Sequence, residues 1–127
     1  MKPQKVRALV VDDSPMLRKS VVAALRRIDA MHCVEAGDGG EGLKHLTKEH
    51  FDILITDINM PVMDGLKLIA AVRQPPLGLK IPIVVITTES DSKDRDRALA
   101  LGATRYMVKP VQAPEVIAAV KELLDLP

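Results

Sequence analysis

The chain has 127 residues, 18 Lys and Arg against 17 Asp and Glu, a formal net charge of +1 and 47% hydrophobic residues. That length supports one domain with its own core and leaves no room for a second folded module, so residues 1–127 are read as a single unit. Balanced charge supplies no field toward nucleic acid or a membrane surface, and Phe51 and Tyr106 alone are too few to build a base-stacking platform.

The lone Cys33 cannot form an internal disulfide, and within His32-Cys33-Val34 it reads as a small buried hydrophobe. Met1 to Arg7 is short and polar and lacks the apolar run of a signal peptide. No apolar segment is long enough to span a bilayer, so a reducing cytoplasm is the expected location.

In chain order, Val6 to Val11 opens as a buried strand, apolar rather than alternating. Ser14-Pro15 is an N-cap followed by the residue favoured at the first helical position. Leu17, Val21, Ala24, Leu25 and Ile28 then form one apolar stripe. Met31 to Ala36, of mixed polarity, fits an edge strand, and Leu43 and Leu46 mark a second helix. Ile53 to Thr56 is a buried strand; Leu66, Ile69, Ala70 and Val72 mark a third helix, which ends at the stiff Gln74-Pro75-Pro76. Ile81 to Thr87 reads as the fourth strand. The following helix is charged or small from Ser90 to Arg97 and apolar only from Ala98 to Leu101, so few contacts hold it and mobility is expected. Arg105 to Val108 is the last strand, and Val116, Ile117, Val120 and Leu124 mark the last helix. Strand and helix alternate five times, which predicts an α/β fold with a parallel sheet and helices on both faces.

The apolar runs stop at chemically similar places. The first ends in Asp12-Asp13, the third in Asp57, the fourth in Thr87-Thr88 and the fifth in Lys109-Pro110. Open parallel sheets bind ligands beyond the carboxyl ends of their strands, so these groups should share one crevice. One Asp after a strand is usually a turn or cap residue; four strands ending this way need a different explanation. Crowded carboxylates call for a cation, and oxygen ligands without His or Cys select Mg2+. A carboxylate can act as a covalent nucleophile toward a phosphoryl group, with Lys109 as a point charge and Thr87 as a hydrogen-bond donor to its oxygens. No group supplies an activated water, which favours a persisting acyl phosphate. The residues alone leave open which carboxylate would carry it.

Val10-Val11-Asp12-Asp13-Ser14, Asp57-Ile58-Asn59-Met60-Pro61-Val62-Met63-Asp64-Gly65, Thr87, Gly102-Ala103 and Tyr106-Met107-Val108-Lys109-Pro110 together carry a resemblance. The chain resembles the receiver domain of bacterial two-component response regulators, most of all the stand-alone chemotaxis type. The resemblance implies a flavodoxin-like doubly wound sheet of strand order 2-1-3-4-5, flanked by five helices, with a cis Lys109-Pro110 bond. It implies that Asp57 accepts the phosphoryl group from a histidine kinase. Mg2+ would be held by Asp13, Asp57 and the Asn59 backbone carbonyl, with Asp12 assisting through water. Lys109 would pair with the phosphoryl group, Thr87 would move to bond it, and Tyr106 would turn inward and alter the face made by the fourth helix, fifth strand and fifth helix. Asn59 and Glu89, each two residues past a site residue, would tune hydrolysis of the acyl phosphate and match the short-lived chemotaxis type. Such a domain is not a turnover enzyme; it catalyses its own phosphoryl transfer and slow autodephosphorylation. Val111 departs from the family, which often has a larger apolar residue there.

With no DNA-binding module after Pro127, output is expected from a monomer through a downstream protein: a flagellar motor switch, a gliding or pilus apparatus, a kinase or a phosphorelay partner. Three rival readings fit the residues less well. Gly37-Asp38-Gly39-Gly40-Glu41-Gly42 matches a dinucleotide fingerprint, but Asp38 and Glu41 would face the pyrophosphate, and a tight turn with glycines at positive φ is expected instead. A phosphatase of the haloacid dehalogenase type needs an acid-base carboxylate where Asn59 stands. A pseudo-receiver would not need the full acid set. His32, His45 and His50 lack metal-ligand spacing, Met60, Met63 and Met107 read as packing, and Arg95, Arg97 and Arg105 as scattered surface charge.

Overall fold

The computed structural model describes residues 5–127; the polar start of the chain lies, over residues 1–4, outside the described residues. The elements run β1 (Val6–Val11), α1 (Pro15–Leu25), β2 (Met31–Ala36), α2 (Gly39–Lys48), β3 (Ile53–Thr56), α3 (Gly65–Arg73), β4 (Ile83–Thr87), α4 (Ser92–Leu101), β5 (Arg105–Val108) and α5 (Ala113–Leu123). All pairings are parallel, in the order β2-β1-β3-β4-β5. This is the expected flavodoxin-like arrangement, with β2 at an edge.

Alternate strand residues serve two cores. Leu9, Val11, Leu54, Ile83 and Val85 pack with Leu46, Leu68, Ile69 and Val72 under α2, α3 and α4. Ala8, Val10, Ile53, Ile55, Val84 and Ile86 pack with Val21, Val22, Leu25, Val116 and Val120 under α1 and α5. Burial on both faces is why the central strands lack polar alternation.

Several details depart from expectation. β4 begins at Ile83, because Pro82 lacks the N–H that a ladder requires, although its carbonyl accepts from Leu54 N at 3.0 Å. On α1, Leu17 is exposed and Val22 takes its place in the core. Cys33 is half-buried rather than fully buried, and burial pushes its thiol pKa up. Of the fingerprint-like glycines none has positive φ; only Gly78 and Gly102 do. Gly39, Gly40 and Gly42 lie inside α2, where a Cβ on Gly39 would stand 2.4 Å from the Met63 carbonyl and one on Gly42 2.9 Å from Val11. Close helix packing, and not turn geometry, requires glycine at those two positions. On α4 only Ala98 is buried, in keeping with its charged sequence.

Gly65 opens α3 against the segment that carries Asp57. Its N–H donates to Ile58 O at 3.1 Å, and a Cβ there would lie 2.1 Å from the Asp57 carbonyl oxygen. Backbone cannot yield as a side-chain tip can, so Gly65→Ala should lower the unfolding free energy by about 1–3 kcal/mol in urea denaturation, the usual cost of overpacking.

Candidate functional site

Strand register brings the polar ends together. Val11 is level with Thr56, and Asp57 N donates to Val11 O at 3.0 Å, so the residues that follow, Asp12 and Asp57, emerge side by side. Thr87 is level with Val108, and Lys109 N donates to Thr87 O at 2.7 Å. The Lys109-Pro110 bond is cis. The carboxylates of Asp12, Asp13 and Asp57 offer oxygens within 4.8 Å of one another, Asp13 exposed and the other two buried.

The Lys109 ammonium is shared between Asp12 Oδ2 at 2.8 Å and Asp57 Oδ2 at 3.0 Å, and all three side chains are under 10% exposed. Burial pulls the lysine pKa down, but hydrogen bonds to both carboxylates and their charges outweigh it, and the net shift is upward. The remaining oxygens meet backbone amides: Asp12 Oδ1 accepts from Ser14 N at 2.9 Å, and Asp57 Oδ1 from Ile58 N at 2.6 Å and Asn59 N at 3.1 Å. Three carboxylates and one ammonium leave two formal negative charges uncompensated. An all-oxygen donor set with that charge fits Mg2+, so these residues suit the cation expected from the sequence.

The remaining expected residues form a chain leading away from the acids. Thr87 is fully buried, and its Oγ1 accepts from Glu89 N at 3.3 Å. The Glu89 carboxylate accepts a hydrogen bond from Asn59 Nδ2, closing the mouth between the β3–α3 and β4–α4 loops. Tyr106 is half-buried against the α2–α3–α4 core, and its hydroxyl donates to Glu89 O at 2.8 Å. Burial first, then the charges of Asp94, Glu89, Asp57 and Asp91, push the phenol pKa up, so at neutral pH it stays a donor. Three hydrogen bonds thus converge on Glu89, whose sequence context shows only that it lies two residues past Thr87.

Sequence reasoning missed the guanidinium of Arg18, which donates to the Asp12 backbone carbonyl at 2.7 Å. Its position one turn into α1 was the only available signal. Val111 lines an apolar groove of about 260 Å³ with Leu17, Val21, Ile86 and Pro110 beside Lys109. Among the described residues no helix is long and apolar enough to cross a membrane. His45 bonds Glu49 at 2.9 Å and His50 meets Asp52 at 3.3 Å, at the opposite ends of the strands from the acids.

The chain has clear relatives among known proteins. Residues 8–121 match the family model described as the response regulator receiver domain. A chemotaxis protein CheY homolog of Campylobacter jejuni is 39% identical over 94% of this chain and 90% of its own length. The transcriptional regulatory protein PrrA of Mycobacterium tuberculosis is 37% identical over 93% of this chain, which spans about half (49%) of that longer protein. The solved structure of the chemotaxis response regulator CheY4 of Vibrio cholerae superposes with a TM-score of 0.86 at 33% identity, covering 95% of this chain and 100% of that one.

The shared ammonium makes an asymmetric stability prediction. Lys109→Met strands two buried carboxylates and should lower the unfolding free energy by about 3 kcal/mol in metal-free urea denaturation. Asp57→Asn relieves the same crowding and should cost less than about 1 kcal/mol.

Proposed function

Because the chain belongs to the response regulator receiver domain family, we propose that it acts as a stand-alone phosphorylation switch in which Asp57 accepts a phosphoryl group from a histidine kinase. The observation that carries this reading is the buried Asp57 carboxylate, held by two backbone amides and by Lys109 beside two further acids. An Asp57 oxygen attacks phosphorus and forms the new O–P bond as the P–N bond of the donor phosphohistidine breaks. The bonding pair stays with the imidazole, which takes a proton from solvent.

Asp12, Asp13 and Asp57, with the Asn59 backbone carbonyl, would hold Mg2+, which when bound offsets the negative charge opposing the approach of carboxylate and phosphoryl group. Lys109 is within reach to pair with a phosphoryl group on Asp57 and gives up part of its present bonding to do so. Thr87 turns its hydroxyl toward the new oxygens, away from Glu89 N, and Tyr106 follows through Glu89. A phosphoryl group adds nearly two charges and three strong acceptors, enough to make these rearranged contacts favourable. The α4-β5-α5 face then changes; the small buried contact of α4 supports that step. Asn59 and Glu89, joined across the mouth, limit approach of water to the acyl phosphate and tune its lifetime.

Output in this reading is binding of a downstream protein, a motor or other motility component, supported by the chemotaxis names of the Campylobacter and Vibrio relatives. The protein works as a cytoplasmic monomer without nucleic acid or membrane contact, and it performs its own phosphorylation and slow autodephosphorylation rather than turnover of a substrate.

Incubation with Mg2+ and acetyl phosphate should add one phosphoryl group, read by intact mass, and chelation of the metal should abolish it. Asp57→Asn should abolish it as well; uptake at the wild-type rate would remove Asp57 from this role. Thr87→Ala should still be phosphorylated but fail to change the Tyr106 fluorescence that accompanies phosphorylation of the wild type. Replacing Glu89 with Ala should change the lifetime of the phosphorylated form while leaving its site unchanged.

A further inference from the structure

Arg18 lies outside the acidic cluster, yet it joins the β1–α1 loop to a strand that follows it in the chain. Its Nη1 donates to the Asp12 carbonyl at 2.7 Å, and its Nε donates to Glu35 Oε1 at 2.9 Å. Glu35 stands on β2 level with Val10, two residues before Asp12. The Arg18 and Glu35 side chains are only 16% and 26% exposed, whereas Lys19, which reaches Glu35 at 3.5 Å, is 69% exposed. The shielded fork of Arg18 is therefore the bond that holds Glu35.

The Asp12 carbonyl belongs to the peptide leading into Asp13, the exposed member of the acid group. The Asp12 side chain is already fixed by Ser14 N and Lys109. Among the described residues no comparable side-chain bond anchors the Asp13 carboxylate. The peptide from which the Asp13 side chain departs offers its carbonyl to the guanidinium, which adds a third hydrogen bond to a loop also held by Asp12 N on Ala36 O and by Ser14 N on Asp12 Oδ1.

We propose that Arg18 and Glu35 are positioning residues for the cation site: Glu35 fixes the guanidinium, which fixes the Asp12–Asp13 peptide and so aims the Asp13 carboxylate. The inference rests on the Mg2+ reading above. Outer partners of this kind commonly change metal affinity by about 10–100-fold when removed. Two roles for Arg18 predict opposite signs. As a bare positive charge it repels a cation, so its loss would tighten Mg2+ binding; as a positioning group its loss weakens binding.

Calorimetric titration of the full chain with Mg2+ separates them. Arg18→Met should bind about tenfold more weakly. Arg18→Lys keeps the charge but cannot bridge a carbonyl and a carboxylate with one planar fork, and it should also bind more weakly. Glu35→Ala removes the acceptor of Nε and should bind more weakly, whereas Glu35→Gln keeps one and should retain most of the affinity; unchanged binding by Glu35→Ala removes Glu35 from this role. Arg7→Met breaks an ion pair with Glu49 at the far end of β1 and serves as a control for general destabilisation; it should leave Mg2+ affinity unchanged. Unchanged or tighter binding by Arg18→Met and Arg18→Lys, with the wild type binding Mg2+, overturns this inference alone. Failure of the wild type to bind Mg2+ overturns the cation reading and this inference with it.

Discussion

The site depends on one ammonium held between two carboxylates. Lys109 reaches Asp12 and Asp57 from β5, the far edge of the sheet, and all three side chains are nearly removed from solvent. Two acids on adjacent strands would otherwise repel one another in a medium that screens them poorly. The lysine balances part of that charge and leaves the excess that suits a divalent cation. It can play this role because parallel register sets Asp12 beside Asp57, and because the Lys109 amide is tied to the end of β4.

The same constraint explains how a local change could reach the surface. Thr87 is buried at the end of β4, the strand beside β3, and its hydroxyl shares the Glu89 segment with Tyr106 and Asn59. A group that drew the Thr87 hydroxyl away would withdraw an acceptor from the segment that Tyr106 also holds. Nearby, α4 buries only Ala98, so little apolar contact opposes its displacement. Its other end is firmly held: Arg73 donates to Gly102 O from both Nε and Nη2, at 3.1 and 2.7 Å. The helix is tied by Arg73 where it ends, and its first six residues bury no side chain.

Glycines and apolar stripes show that a residue pattern does not by itself tell what the residues pack against. Gly37 to Gly42 resembles a phosphate-binding turn, yet Gly39 and Gly42 are small because α2 lies against Met63 and Val11. Leu17 fits the helical stripe of α1 but is exposed, since the stripe rotates toward Val22 where the helix meets β1 and β3. Periodicity identifies a helix; the neighbours decide which edge of the stripe is buried.

The alternation of strands and helices, the parallel sheet implied by unbroken apolar runs, and the polar residues Asp12, Asp13, Asp57, Thr87 and Lys109 at the strand ends are all legible along the chain. These follow from local periodicity and from the points where burial stops, both of which can be read along one dimension. Tertiary packing alone makes Lys109 divide its ammonium between two acids, makes Glu89 donate to Thr87 while accepting from Asn59 and Tyr106, and makes Arg18 link Asp12 to Glu35. Each of those contacts joins residues on different elements, and its distance depends on strand register and helix docking, which no spacing within a single segment encodes.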